Sequence, residues 1–147
     1  MYQHILIPTD GSDRSAHAIK HAIALAQSTG ARVTGLYVSP TATPLVFKGM
    51  LPVGYMSPEA HEAAIARIAK HHLEVVEKAA HRAGVACNCL TVRGDFPADA
   101  ILQTADAQKC DLIVMASHGY RGITALLLGS ETQKVLAHAR IPVLVHR

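Results

Sequence analysis

The sequence predicts a single α/β domain over residues 1–147, built as an open, mostly parallel five-stranded sheet with helices on both faces. Three observations carry that prediction. Five short apolar runs, HILIP, RVTGLYV, VACNCLTV, DLIVM and IPVLV, alternate with longer segments whose apolar residues recur at helical spacing, and this β-α-β-α pattern calls for parallel pairing through crossover helices. The runs are nearly continuous rather than alternating, as strands buried on both faces must be. Hydrophobic residues make up 50% of the chain but aromatics only 4%, so Ala, Val, Ile and Leu fill the core, in an amount suited to one domain of ordinary size.

The elements follow in order. The first strand, residues 4–8, ends in Pro8-Thr9-Asp10-Gly11-Ser12, a tight-turn signal. Ser12 or Asp13 then caps a helix whose Ala16, Ile19, Ile23 and Ala26 share helical spacing and whose stop is Gly30. Residues 32–38 form the second strand. The segment 39–56, SPTATPLVFKGMLPVGYM, holds three prolines and two glycines without a sustained period and reads as a long loop. A loop of that length is a mobile cover over a ligand, a flexible segment or a partner-binding patch; as a cover, its Leu45, Val46, Phe47 and Met50 would shield a planar apolar group. Ser57-Pro58-Glu59 opens a second helix with a cap, a proline at the first helical position and an early acid. It runs to about Arg82 and stops at Gly84. Residues 85–92 form the third strand, Gly94-Asp95-Phe96-Pro97 turns into a helix carrying Ile101, Leu102 and Ala105, and residues 111–115 form the fourth strand. A last helix over 130–139 and a final strand over 141–147 close the chain.

Composition excludes several function classes. The net charge is +3 and the fourteen Lys and Arg residues are scattered, which argues against a nucleic-acid tail or a basic membrane surface. No apolar run approaches the length of a membrane span, and an acid at position 10 interrupts any signal-like segment, so the expected location is cytoplasmic. Cys87, Cys89 and Cys110 include a C-x-C without a second metal-ligand pair nearby, and they read as free thiols behaving as small apolar residues. His61, His71, His72 and His81, within one helical stretch, read as a solvated face rather than a metal site.

One stretch asks for a ligand. Residues 115–133, MASHGYRGITALLLGSETQ, set small and polar residues on both sides of Leu126-Leu127-Leu128. The stretch leaves the carboxyl end of the fourth strand, where open parallel sheets bind ligands at the point of strand-order reversal. Small backbone at Ala116 and Gly119 would let amides approach a ligand, the three leucines would anchor the detour in the core, and Gly129-Ser130 would return at a helix N-terminus that favours an anion. The plain alternative stands beside it: Ser130 and Gln133 fit an S-x-x-Q capping box with no ligand at all.

MASHG, nine residues, then GS, set between DLIVM and IPVLV, resembles the ATP-binding branch of the universal stress protein family, whose pattern is G-x-x-G, nine residues, G-S or G-T. ILIPTDGS, LYV, GDFPADAI and LLLGSETQKVLAHARIPVLV extend the resemblance along essentially the whole chain. One position departs: the first glycine is Ala116, whose methyl is tolerable at negative φ and costly at positive φ. The resemblance implies a Rossmann-like strand order 3-2-1-4-5 and ATP as ligand, with Mg or Mn bound through its phosphates. It further implies that Asp10 and the backbone of Val38 hold ribose and adenine, that Pro8 and Thr9 form part of the wall, and that Met115 belongs to the nucleotide site. Ala116, His118, Gly119, Arg121, Gly122, Gly129, Ser130, Glu131 and Thr132 would surround the phosphates. Asp10 could instead cap the first helix or fold back on Gly11 and Ser12, and Arg121 could be a solvated cation.

Three functions compete at this point: a nucleotide-binding stress-response regulator acting on an unknown protein partner, a slow ATPase or adenylyl-transfer enzyme, and an interaction module without nucleotide. No catalytic residue is assigned, and the absence of G-x-x-x-x-G-K-[ST] excludes a P-loop enzyme. The resemblance also implies a homodimer joined through the last strand, where an apolar sheet edge invites strand addition.

Overall fold

The computed structural model describes residues 1–41, 45–48, 51–55, 57–119 and 127–147, with the backbone alone for 45–48 and 51–55. In chain order the elements are β1 (His4–Pro8), α1 (Asp13–Thr29), β2 (Arg32–Ser39), β3 (Leu45–Lys48), β4 (Leu51–Tyr55), α2 (Pro58–Ala83), β5 (Cys87–Arg93), α3 (Pro97–Ala107), β6 (Leu112–Ala116), α4 (Ser130–His138) and β7 (Val143–His146). Five strands form one sheet in the order β5-β2-β1-β6-β7, every neighbouring pair parallel. This is the expected 3-2-1-4-5 order. The chain builds outward from β1 through β2 to β5, then returns to the other side of β1 for β6 and β7, so the reversal lies between the carboxyl ends of β1 and β6.

Alternation within β1 divides the core. Ile5 and Ile7 join Ile19, Ala22, Ile23 and Ala26 of α1 and Val76 and Ala80 of α2 on one face. Leu6 joins Ala98, Ile101 and Ala105 of α3 and Val135 of α4 on the other. Every residue of β1 and β6 is buried, the physical reason their sequences read as unbroken apolar runs. On α1 the buried alanines are Ala18, Ala22 and Ala26, and Ala16 is exposed. The helix limits follow local chemistry: Ser12 and Ser57 accept amide hydrogen bonds from Ser15 and Ala60, and Gly30 and Gly84 close α1 and α2 in the left-handed region at φ 73° and 67°.

The 39–56 segment is not the plain loop its composition predicts. β3 and β4 pair antiparallel, with Phe47 opposite Pro52 and Lys48 opposite Leu51. Pro52 cannot donate to a ladder, but in a two-stranded hairpin each strand has an unpaired edge where a missing N–H costs nothing. Met50 and the side chains of Leu45, Val46 and Phe47, on which the idea of a cover rests, lie outside the described residues.

A buried histidine couples this fold to pH. His4 is 5% exposed and its Nε2 lies 2.7 Å from Thr34 Oγ1. Burial, and then the Arg32 charge, hold its imidazole below the ordinary value of 6.5, and burial lowers His72 in the same sense. Between the depressed folded value and the ordinary one, the unfolded chain binds more protons. The stabilisation from keeping His4 neutral is therefore complete above the ordinary value and is lost as pH falls through that window. The melting temperature should drop between about pH 7.5 and about pH 5, and drop less in His4→Gln. Identical slopes for the two proteins in thermal melts would remove His4 as a source of the effect.

Candidate functional site

At the strand-order reversal lies a cavity of about 230 Å³. Pro8, Leu36, Val38, Pro97, Ile101 and Met115 give it apolar walls, and Thr9, Asp10, Ser15, His118, Glu131 and Thr132 give it polar groups, with Ala116 and Gly119 completing the lining. Ten of the expected site residues are thus brought together: Pro8, Thr9, Asp10, Val38, Met115, Ala116, His118, Gly119, Glu131 and Thr132. Arg121 and Gly122 lie outside the described residues. Gly129 and Ser130 stand next to the cavity at the start of α4 without lining it.

Asp10 is positioned by the turn out of β1. Its Oδ1 accepts from the Ser12 amide at 2.9 Å and from the Ser15 hydroxyl at 2.7 Å, so the turn-forming alternative holds as well. Its Oδ2 reaches the Gly119 backbone and occupies the space where a Cβ on Gly119 would stand. Behind it, Gly11 adopts φ 80°, and a Cβ there would run into the His72 ring. His72 also packs against Tyr37, with ring centroids 5.3 Å apart. The expected solvated histidine face is therefore correct for His71 and His81, which are exposed, but not for His61, which is half-buried, nor for His72, half-buried against the Asp10 turn. Helical spacing could not show this, because the contact is made by a left-handed glycine from a distant turn.

The end of β6 presents a different chemistry. His118 is 6% exposed; its Nδ1 lies 3.0 Å from Ser117 Oγ, and its buried Nε2 has no hydrogen-bond partner among the described residues. An orphaned buried nitrogen on a cavity wall is unfavourable unless a ligand or water satisfies it. Ala116 belongs to β6, and among the described non-glycine residues only Lys109 has a positive φ, so its methyl group is accommodated without backbone strain.

The start of α4 departs from the capping-box expectation. The N-cap is Gly129, and Ser130 is the first helical residue, exposed, so it does not hold the N-cap position from which its side chain would cap the helix. Gln133 reaches back to the Leu128 carbonyl, which its Nε2 contacts at 2.7 Å. The Gly129 amide donates to the Ser117 carbonyl at 2.7 Å, so it is spent inside the protein rather than offered to an anion. A Cβ on Gly129 would lie 3.2 Å from that carbonyl and 3.3 Å from His118 Cα, so close packing explains this glycine. Thr132, 3% exposed, donates its hydroxyl to the Ala116 carbonyl at 3.0 Å and ties α4 to β6. Glu131 accepts from the Ala98 amide at 2.9 Å and pairs with Lys134 at 3.1 Å. It thereby caps α3, whose own N-cap residue Phe96 supplies no side-chain bond, and its charge is drawn toward an N-terminal dipole. The three leucines do not act as one anchor: Leu127 is 67% exposed, Leu128 is half-buried, and Leu126 lies outside the described residues.

Comparison with known proteins places this arrangement. The model of the universal stress protein family matches residues 1–147. The universal stress protein MJ0531 of Methanocaldococcus jannaschii is 37% identical over 145 residues, covering 99% of this chain and 82% of that protein. Among solved structures, MJ0577 of the same organism superposes with a TM-score of 0.79 at 27% identity, covering 99% of this chain and 95% of that one. A universal stress protein solved in complex with cAMP superposes with a TM-score of 0.70 at 26% identity, covering 99% and 97%. With the family model spanning every residue and the sheet order shared, the chain belongs to the universal stress protein family.

Proposed function

We propose that this protein is a stress-response regulator that binds an adenine nucleotide, ATP in the first instance, in the cavity between β1 and β6, and that occupancy sets its conformation or its choice of protein partner in the cytoplasm. The observation that carries the reading is the cavity itself: apolar walls, the Asp10 carboxylate in its lining, and the buried His118 Nε2, which has no hydrogen-bond partner among the described residues. At about 230 Å³ it lies below the usual range for whole drug-sized ligands, so base and ribose fill it and the phosphates extend past Gly119 toward the exposed Ser130. Mg or Mn would then be held through the phosphate oxygens, as such ions commonly are. The relative solved with cAMP favours a second reading, a nucleoside monophosphate, for which the same cavity suffices. Mass spectrometry of nucleotide released from the denatured protein, followed by calorimetric titration with ATP, AMP and cAMP, tests both. Neither a released nucleotide nor a heat of binding for any of the three would overturn the proposal.

The unit would act as a homodimer through β7. This strand is a sheet edge, all four of its residues are only half-buried, and Leu136 on the neighbouring α4 is 41% exposed. Antiparallel addition of a second β7 would satisfy the unpaired edge and cover that apolar surface. Sedimentation at micromolar concentration should give twice 15.7 kDa, and Val143→Pro, which removes a ladder donor, should shift the protein toward monomer. A wild type that sediments as monomer throughout that range would count against the dimer. No helix among the described residues is long and apolar enough to cross a membrane.

A further inference from the structure

We propose that Cys87 and Cys89 form a two-thiolate chelate for a soft, thiophilic metal ion on the exposed edge strand β5, separate from the nucleotide cavity. Residues two apart on a strand project to the same face, and here the two sulfurs lie 4.0 Å apart with Cys87 exposed. With metal–sulfur bonds of about 2.3 Å, a 4.0 Å span subtends about 120° at the metal, an unstrained angle for soft-ion coordination. A disulfide fits the same pair poorly. Successive residues of a strand advance about 3.3 Å each, which puts the two Cα atoms near the upper limit of about 6.8 Å for bridging, and the sulfurs would have to close to about 2 Å.

The neighbourhood holds the pair in place. Cys89 Sγ lies over Gly35 of β2, where a Cβ would approach it to 2.9 Å, and 3.9 Å from the Leu73 carbonyl. Glycine at 35 therefore makes room for the thiol, and α2 closes over it. β5 is the outermost strand, so Cys87 is approachable from solvent. The hydrogen bond shared by the two sulfurs holds the Cys87 thiol below the usual cysteine range and pushes Cys89 up, which makes Cys87 the first to lose its proton. The Glu77 carboxylate acts on both thiols and adds negative field where a cation would sit. No third His, Cys, Asp or Glu completes a ligand set among the described residues, so the remaining coordination position is left to solvent or an external thiol. Binding exchanges two S–H bonds for two metal–sulfur bonds, with no oxidant or reductant: two thiols and one M²⁺ give the neutral bis-thiolate and two released protons.

Cd²⁺ is the probe. Native mass spectrometry of the reduced protein should show one Cd²⁺ bound with the loss of two protons, and titration in buffers of different ionisation enthalpy should count the same two. Cys87→Ser and Cys89→Ser should each lower the affinity by at least about 100-fold, since a single thiolate loses the effective concentration supplied by its neighbour. Cys110→Ser should leave it unchanged, because that thiol is buried in the core under α3. Nucleotide binding should be the same in all three variants, which keeps this test independent of the nucleotide reading. Cd²⁺ affinity that survives in Cys87→Ser, a stoichiometry that follows Cys110, or a mass lower by two hydrogen atoms without added metal, which marks oxidation to a disulfide, would each overturn the chelate.

Discussion

Gly119→Val is expected to abolish nucleotide binding, and even Gly119→Ala should lower both affinity and stability. The reason lies in Asp10 rather than in backbone conformation. Asp10 Oδ2 already occupies the volume a side chain at 119 would claim, so any Cβ must displace the carboxylate. That carboxylate cannot swing away freely, because Oδ1 is held by the Ser12 amide and the Ser15 hydroxyl at the start of α1. Hydrogen bonds to charged groups are worth about 1.5–3 kcal/mol, so forcing Asp10 out costs about that much stability and removes the group expected to hold the ribose. A double-mutant cycle isolates the clash. Asp10→Ala should destabilise on its own by losing the turn, but in its background Gly119→Ala should be nearly free, a coupling of about 1–2 kcal/mol. Strictly additive melting data for the pair would mean that 119 and 10 do not compete for space. Asp10→Asn is the companion control: its carbonyl oxygen can still accept from Ser12 and Ser15, so it should fold like the wild type while binding nucleotide more weakly.

The parts of this site that sequence reasoning reached are those decided locally. Apolar runs bounded by turn residues marked the central strands β1, β2 and β6, because burial on both faces leaves little room for alternation. Ser12, Ser57, Gly30 and Gly84 marked helix limits because caps are satisfied within a few residues. The parts that were missed are decided across the fold. Leu36, Pro97, Ile101 and Ser15 line the cavity, yet each has an adequate role in its own element and nothing in its neighbours marks it as facing a ligand. Glu131 reads as an acid in the first turn of its own helix, whereas its carboxylate is spent on the amide of Ala98 in a different helix. Phe96 was the available clue, since a helix opened by Phe-Pro has no side-chain cap of its own and must borrow one. The choice between Gly129 and Ser130 as N-cap turned on the contact between the Gly129 amide and the Ser117 carbonyl, a tertiary bond between two loop positions twelve residues apart.

That one-residue shift changes what Ser130 should do. As an N-cap, Ser130→Ala would cost about 1 kcal/mol of stability; as the exposed first residue of α4, past the N-cap Gly129, it should cost almost none. Its hydroxyl is then available to a phosphate, and losing it should weaken nucleotide binding by about 1.5–3 kcal/mol, roughly 10- to 150-fold. Ser130→Asp separates the two roles further, because its effects should have opposite signs. An acid in the first turn complements the helix dipole and should hold or raise stability by about 0.3–1 kcal/mol. The same charge set about 4 Å from a phosphate meets a repulsion on the order of 4 kcal/mol at the effective dielectric of a protein surface. A variant that melts at or above the wild-type temperature and has lost at least about 100-fold in ATP affinity is therefore the expected result. The affinity loss should shrink as salt is added, since the repulsion acts across solvent. It should also be smaller for adenosine, which carries no phosphate, than for ATP. An Asp variant that folds normally and binds ATP as tightly as the wild type would take the phosphates away from the start of α4 and leave the small residues there to packing alone.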